Sequence, residues 1–151
     1  MNEVTIRAPK MEDQRAWREL WMAYCAFYET TVEDTTTEKL WARMLLPSDS
    51  VKGIVATNKT TGEVSGFAHY VLHPHTWTDR TLCYLEDLYV CPEARGQNIG
   101  HALIEKLVDM GKEKGWGRVY WHTGTENATA RRLYDRFNPA DSIVRYTISL
   151  P

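Results

Sequence analysis

At 151 residues, 43% of them hydrophobic and 25% charged, the chain has the size and composition of one ordered domain with a single core, which excludes a disordered or two-domain organisation. A formal net charge of −2 gives no positive field for a phosphate backbone, so direct nucleic-acid binding is not expected. The start at Met1 has no basic-then-apolar leader, no apolar run is long enough to cross a bilayer, and Cys25, Cys83 and Cys91 form neither an even disulfide set nor a zinc pattern; a cytoplasmic protein with no metal and no membrane contact is the expectation.

Residues 4–8 read as a first strand, after which Pro9 opens a turn into a helix over 11–28. On that helix Trp17, Leu20, Trp21, Tyr24, Phe27 and Tyr28 recur at three- and four-residue spacing, an aromatic stripe that belongs to the core, to a hydrophobic wall of the acceptor site or to a dimer surface. Thr35 and Glu38 form a capping box for a short second helix with Leu40, Trp41, Met44 and Leu45 on one face, stopped by Pro47. Runs 51–58 and 63–73, joined through Thr61 and Gly62, predict an antiparallel hairpin, and 81–91 a third strong strand ended at Pro92. A helix over 99–114 turns Ile99, Ala102, Leu103, Leu107 and Met110 inward and stops at Gly115. A strand over 118–123, a helix over 127–137 and a closing strand over 143–150 complete the series. The first half asks for antiparallel pairing and the second for a parallel crossover. The predicted fold is an α/β single domain over 1–151: a twisted, mostly antiparallel sheet with a parallel central pair and helices on both faces.

The segment richest in chemistry is 84–100, where a glycine-bearing loop joins a strand to the first turn of a helix. Backbone N–H groups at a helix start have no internal partner and the helix dipole favours negative charge, so Gly96, Gln97, Asn98, Ile99 and Gly100 are placed to cradle a pyrophosphate; a plain helix-entry turn is the alternative. Dinucleotide-type G-x-G-x-x-G and the P-loop pattern are both absent. The chain here resembles the GNAT superfamily of N-acetyltransferases, whose coenzyme A loop reads Q/R-x-x-G-x-G/A and matches Arg95-Gly96-Gln97-Asn98-Ile99-Gly100 except that Asn98 stands in a glycine slot. Asparagine is among the few residues that tolerate left-handed backbone. The preceding Leu88-Tyr89-Val90 is similar to the bulged family strand that pairs with the pantetheine arm, and Asn127, Ala130, Leu133 and Tyr134 to its second motif. The aromatic first helix, Trp77 and the run through Glu86 and Asp87 look most like the polyamine and histone-type branch. At 137–140, Phe-Asn-Pro-Ala replaces the family's usual glycine-aromatic step.

The resemblance implies acetyl-coenzyme A as co-substrate, without a metal, held by Leu88, Tyr89, Val90, residues 95–100, His101, Asn127, Ala130 and Tyr134. It implies transfer to a primary amine, with a polyamine or lysine-type side chain preferred. An ammonium must lose a proton before it is nucleophilic, and the resemblance favours Glu86 as a base acting through water, with Asp87 holding the cationic acceptor. An undistorted strand would point these neighbours to opposite faces, and a bulge would bring both near the cleft. Exchanged roles, or a solvated pair at a sheet end, are the alternatives. Tyr134 is the implied acid for the leaving thiolate, with a packed core tyrosine as the alternative, and the Val90 N–H would stabilise the oxyanion. Cys91 has no activating partner in the spacing, and His73-Pro74-His75 lacks further ligands, reading instead as a loop beside the acceptor cleft. Glu29, Glu33, Asp34 and Glu38 form an acidic region that draws in a cation or simply faces water. Aminoglycosides, amino acids and protein N-termini stay open as acceptors, and a non-catalytic acyl-coenzyme A binding module is the competing reading. The many aromatics point to a homodimer.

Overall fold

The computed structural model describes residues 3–151. Five strands form one sheet in chain order: β1 (Val4–Arg7), β2 (Val51–Asn58), β3 (Val64–His75), β4 (Thr78–Val90) and β5 (Val119–Tyr120). The first four pair antiparallel and β4 pairs with β5 in parallel, so the parallel pair stands at the end of the strand order rather than at its centre. Four helices, α1 (Gln14–Phe27), α2 (Asp34–Leu45), α3 (Ile99–Lys114) and α4 (Ala128–Tyr134), cover the sheet.

Alternation along β2 and β3 divides the core in two. Val55 and Phe67 face Trp17, Trp21, Cys25, Trp41 and Met44 of α1 and α2, whereas Ile54, Ala56, Ala68 and Tyr70 face Ile99, Leu103, Ile104 and Leu107 of α3. The indole N–H of Trp21 donates to Thr37 Oγ1 (3.1 Å), which satisfies a polar group carried into the first of these layers. Each fully buried leucine or isoleucine on the second contributes about 1.5–3 kcal/mol by leaving water.

Several expected boundaries move. The first helix opens with a 3-10 turn, Met11–Asp13, because Asp13 is buried and accepts from the Arg7 guanidinium (2.7 and 3.1 Å) and the Lys10 N–H (2.7 Å). The second starts at Asp34 with Glu33 at the cap position, so Thr35 lies inside the first turn and forms no capping box; Asp34 is drawn there by Arg18 (2.9 Å). His73, Pro74 and His75 lie within β3, with a ladder irregularity that accommodates Pro74, and the loop to β4 is only Thr76 and Trp77. The helix expected over 127–137 is shorter and begins after Asn127, whose side chain caps it.

Two strands differ more. β5 is two residues long because its pairing with β4 ends at Tyr84, just before β4 bulges. The closing strand expected over 143–150 makes no ladder: residues 138–151 are exposed and without regular structure. The alternating apolar pattern is there, but a strand needs an edge to pair with, and after α4 the chain leaves through Pro139 with no glycine from 125 to 151 to turn it back.

Candidate active site

β4 carries the feature that shapes the site. His69 pairs with Asp87 and Tyr70 with Leu85, so Glu86 is an extra residue with no partner on β3. The bulge reverses the side-chain alternation: Leu85 and Leu88 both belong to the α3 layer, while Asp87 and Tyr89 turn to the α1 side. The bulge anticipated for this strand is therefore present, and it separates the two carboxylates. Glu86 is exposed and lines a cleft with Leu85, Leu88, Trp121, Tyr134 and Tyr24. Asp87 is half-buried behind it, where its Oδ2 takes a hydrogen bond from His69 Nδ1 (2.9 Å). The Trp17 indole can only donate, and it donates to His69 Nε2 (2.9 Å), so the hydrogen of the ring sits on Nδ1 and points at Asp87.

Past the bulge, main-chain groups of β4 are left over. The Cys91 N–H donates to Ser65 O (2.8 Å), which makes that pair the hydrogen-bonded kind and, by the antiparallel alternation, turns the N–H and C=O of Val90 and Leu88 away from β3. β5 does not reach them, because its register stops at Tyr84. Only the Val90 carbonyl is engaged, accepting from Arg95 Nε (3.0 Å). The Leu88 and Val90 amides are therefore free to donate into this gap.

The loop beyond it leads into the N-terminus of α3. Gly96 has φ +80° and Asn98, at the cap of α3, has φ 65°, so asparagine does occupy the left-handed conformation required of its slot. The Asn98 side chain is turned aside to accept from Arg136 (3.1 Å), and the first backbone acceptance in the helix is Ala102 N–H to Asn98 O, leaving the amides of Ile99, Gly100 and His101 without helical partners. Gly100 is needed for a different reason than ligand approach: a Cβ there would lie 3.0 Å from Leu133, so glycine lets α4 close on α3. Gly96 is open on that side, with no heavy atom within 4 Å of where a Cβ would stand.

The other expected coenzyme contacts divide between side chain and main chain. Ile99 is buried in the core and offers only its amide. His101 stacks on Phe137 (4.4 Å, 24°), with Nδ1 3.3 Å from Glu105 but poorly aligned, so its ring serves helix packing. Tyr89 packs on Phe67 and Tyr24 beneath the Arg95 guanidinium, and Gln97 is exposed. Asn127 Oδ1 accepts from the Ala130 N–H (3.3 Å), which commits both to the start of α4.

Tyr134 lies in the cleft edge-on to Trp121 (5.4 Å), and burial pushes its phenol up to about 12. It therefore holds its proton at neutral pH, as a donor must. Tyr24 is raised as well, by burial first and then by the Asp87 charge. Cys91 is raised by burial, which keeps its thiol protonated and non-nucleophilic. Among the described residues no cluster of three or more metal-ligating side chains occurs. Sequence reasoning assigns no role to His69, which carries no motif, or to His122, Thr123 and Gly124, which with Trp121 line the cleft because β4 and β5 part. Tyr24 and Tyr28 were in view only as members of the aromatic stripe, which divides: Trp17 and Trp21 are core, and Tyr24 and Tyr28 form a cleft wall.

A family model described as the acetyltransferase (GNAT) family matches residues 14–138. The chain belongs to this family. It is an acyltransferase, and acetyltransferases of the GNAT family use acetyl-coenzyme A as co-substrate. It is 33% identical over 135 residues to the D-amino-acid N-acetyltransferase HPA3 of Saccharomyces cerevisiae, covering 89% of this chain and 84% of that protein. A thialysine N-epsilon-acetyltransferase of Sus scrofa is 46% identical over 76 residues, which span 50% of this chain and 44% of that one. Among solved structures, a probable acetyltransferase superposes with a TM-score of 0.85 at 20% identity, covering 97% of this chain and 98% of its own, and so shares the fold.

Proposed function

We propose that this enzyme transfers an acetyl group from acetyl-coenzyme A to a small-molecule or peptide primary amine by direct attack in a ternary complex. The observation that carries the reading is the bulge at Glu86, which parts β4 from β5 and lets Glu86 and Tyr134 line one cleft together with Leu88. When bound, the coenzyme supplies the activated acetyl thioester, with its diphosphate on the amides of 96–101 and its arm along Leu88 and Val90. Glu86, exposed at the cleft, takes a proton from the incoming ammonium through water and leaves a nucleophilic amine. The Val90 N–H, uncommitted to β3, stabilises negative charge developing on the carbonyl oxygen. Tyr134 gives its proton to the departing sulfur and is restored by the second proton lost by the nitrogen, while the proton taken by Glu86 returns to solvent. Asp87, oriented by His69 (2.9 Å), adds negative charge behind the acceptor. Tyr134 so placed, with the coenzyme packed against Asn127 and Ala130 at the start of α4, has both a binding and a proton-donating role.

A cationic acceptor fits the charge. Glu86 lines the cleft, and Glu29, held at φ 53°, directly follows the cleft residue Tyr28, so carboxylates stand on and beside its walls. A lysine-type or polyamine amine is preferred on that ground, and the thialysine and D-amino-acid enzymes among the relatives support a small free amine. The cytoplasm is the proposed compartment, in keeping with three free cysteines, and the proposed assembly is a homodimer.

Thiol release from acetyl-coenzyme A is the test, with lysine, thialysine, spermidine, D-amino acids and an aminoglycoside as the panel. Amine-dependent release strongest with the lysine-type and polyamine members is expected; release with none of them overturns the proposal. Glu86→Gln is expected to lower kcat/KM and shift its pH profile upward, because the enzyme then depends on amine already deprotonated in solution. An unaltered profile removes Glu86 as the base.

A further inference from the structure

Apart from its tyrosines the cleft is lined by two ionisable side chains, acidic Glu86 and basic His122. The mechanism proposed above uses the first and leaves the second without work. His122 is exposed, yet its ring is held: it lies against Tyr84 (5.2 Å, 52°) and edge-on to Tyr120 (6.2 Å, 72°), and its Nδ1 shares a hydrogen bond with the Tyr84 hydroxyl (3.1 Å). The platform beneath is fixed in turn, since Tyr84 and Tyr120 pack together (5.1 Å) and His73 Nε2 is bonded to the Tyr120 hydroxyl (2.6 Å). Nε2 of His122 has no hydrogen-bond partner among the described residues. The bond at one ring nitrogen fixes what the other offers, so this ring leaves Nε2 to meet a ligand.

The surroundings give the sign of that ligand. Arg118 stands over the Tyr120 ring (4.8 Å), and among the described residues neither Arg118 nor Arg145 is paired with a carboxylate. Tyr84 is pushed up to about 12 by burial first and by the Glu86 charge next, with the Arg145 charge opposing them. Positive charge without a partner therefore adjoins the hydroxyl that holds His122. A molecule with two ammonium groups finds one carboxylate, Glu86, among the lining residues; a molecule with an ammonium and a carboxylate finds a complement for each.

We propose that His122 is a specificity-determining residue, whose Nε2–H binds the carboxylate of an amino-acid acceptor while Glu86 takes the proton of its ammonium. In this arrangement the Tyr84 hydroxyl donates to Nδ1, which leaves the ring hydrogen on Nε2. No proton transfer is asked of His122. The inference rests on the reading of this cleft as the acceptor site. It narrows the preferred acceptor to an amine that also carries a carboxylate, as lysine does and a polyamine does not.

Thiol-release kinetics with lysine, lysinamide and cadaverine, which is lysine without its carboxyl group, test this. The wild-type KM for lysine should lie below the other two by about 10-fold or more, the weight of one charge-assisted hydrogen bond. His122→Phe keeps a flat ring on Tyr84 but has no N–H, and it should bring the three KM values together; His122→Gln, which restores an N–H, should recover part of the difference. Equal KM values in the wild type, or a difference that survives in His122→Phe, overturn the proposal. A second readout needs neither a folded variant nor turnover: in the wild-type enzyme loaded with coenzyme A, the imidazole nitrogen NMR signals of His122 should shift on adding lysine and not on adding cadaverine. Equal shifts with both, or none with either, overturn it as well. The lysine-specific shift without thiol release from any amine would sink the acetyl transfer proposed above and uphold the carboxylate contact.

Discussion

The two faces of the sheet are built on different principles. The α3 face is mainly aliphatic, with Ile54, Leu103, Ile104 and Leu107 all but fully buried and Tyr70 and Trp116 as the aromatic members of its buried core. The α1 and α2 face is aromatic, and each of Trp17 and Trp21 carries an N–H that must find an acceptor, which brings His69 and Thr37 into the interior. The first face can hold the domain together by packing alone, whereas the second couples its packing to polar geometry and, through His69, to Asp87. They meet only where β4 leaves β5. Through that gap Tyr24 and Tyr28 of one face reach Tyr134 and Trp121 of the other, and the cleft is their meeting place.

The contrast can be broken at several points. Leu107→Ala on the aliphatic face should cost about 2–5 kcal/mol in a denaturant titration and leave the KM for amine little changed, because no polar chain leads from it to the cleft. Tyr134→Phe, at the meeting place, should reduce kcat about 100-fold or more with coenzyme affinity and thermal midpoint nearly kept; full turnover at saturation would return Tyr134 to a packing role. Trp17→Phe should cost about 1–3 kcal/mol by leaving His69 Nε2 unpaired, and it should also depress kcat, since the ring that orients Asp87 is released. A stability loss without a rate effect would separate the aromatic face from the chemistry.

Alkaline pH probes both faces at once. Burial raises Tyr70, Tyr84 and Tyr134 from an ordinary value of 10.0 and Cys83 from 9.0, each to about 12. Below about pH 9 folded and unfolded chains bind the same protons at these groups, and above it the unfolded chain releases protons that the folded one keeps. Stability should therefore fall as pH rises from about 9 toward 12, seen as a declining thermal midpoint. The smallest effect is expected at Glu29, held at φ 53° where the two backbone bonds Thr30 to Cys25 and Glu29 to Ala26 close α1. Glu29→Gly should stabilise by roughly 1 kcal/mol, read in the same titration, and weaken KM for cationic amines relative to neutral ones.

Much of this was legible in the residues. The left-handed turn at Gly96 and Asn98 matches the loop expected there, α3 follows its apolar spacing, and Gly115 ends it at φ 75°. Boundaries moved where a side chain far along the chain competed, as Arg7 did for Asp13 and Arg18 for Asp34. His69 carried no local signal, because its partners stand 52 and 18 residues away.

The sequence by itself determined the periodicities, the turns and the glycine-and-asparagine loop, since these rest on backbone preferences and on apolar spacing within a few residues. Tertiary structure alone decided which carboxylate faces the cleft and which is held behind it, because one unpaired residue at Glu86 inverts every side chain that follows. It also decided that the last apolar run stands free, since strand pairing is a property of two edges and a run of alternating residues specifies only one.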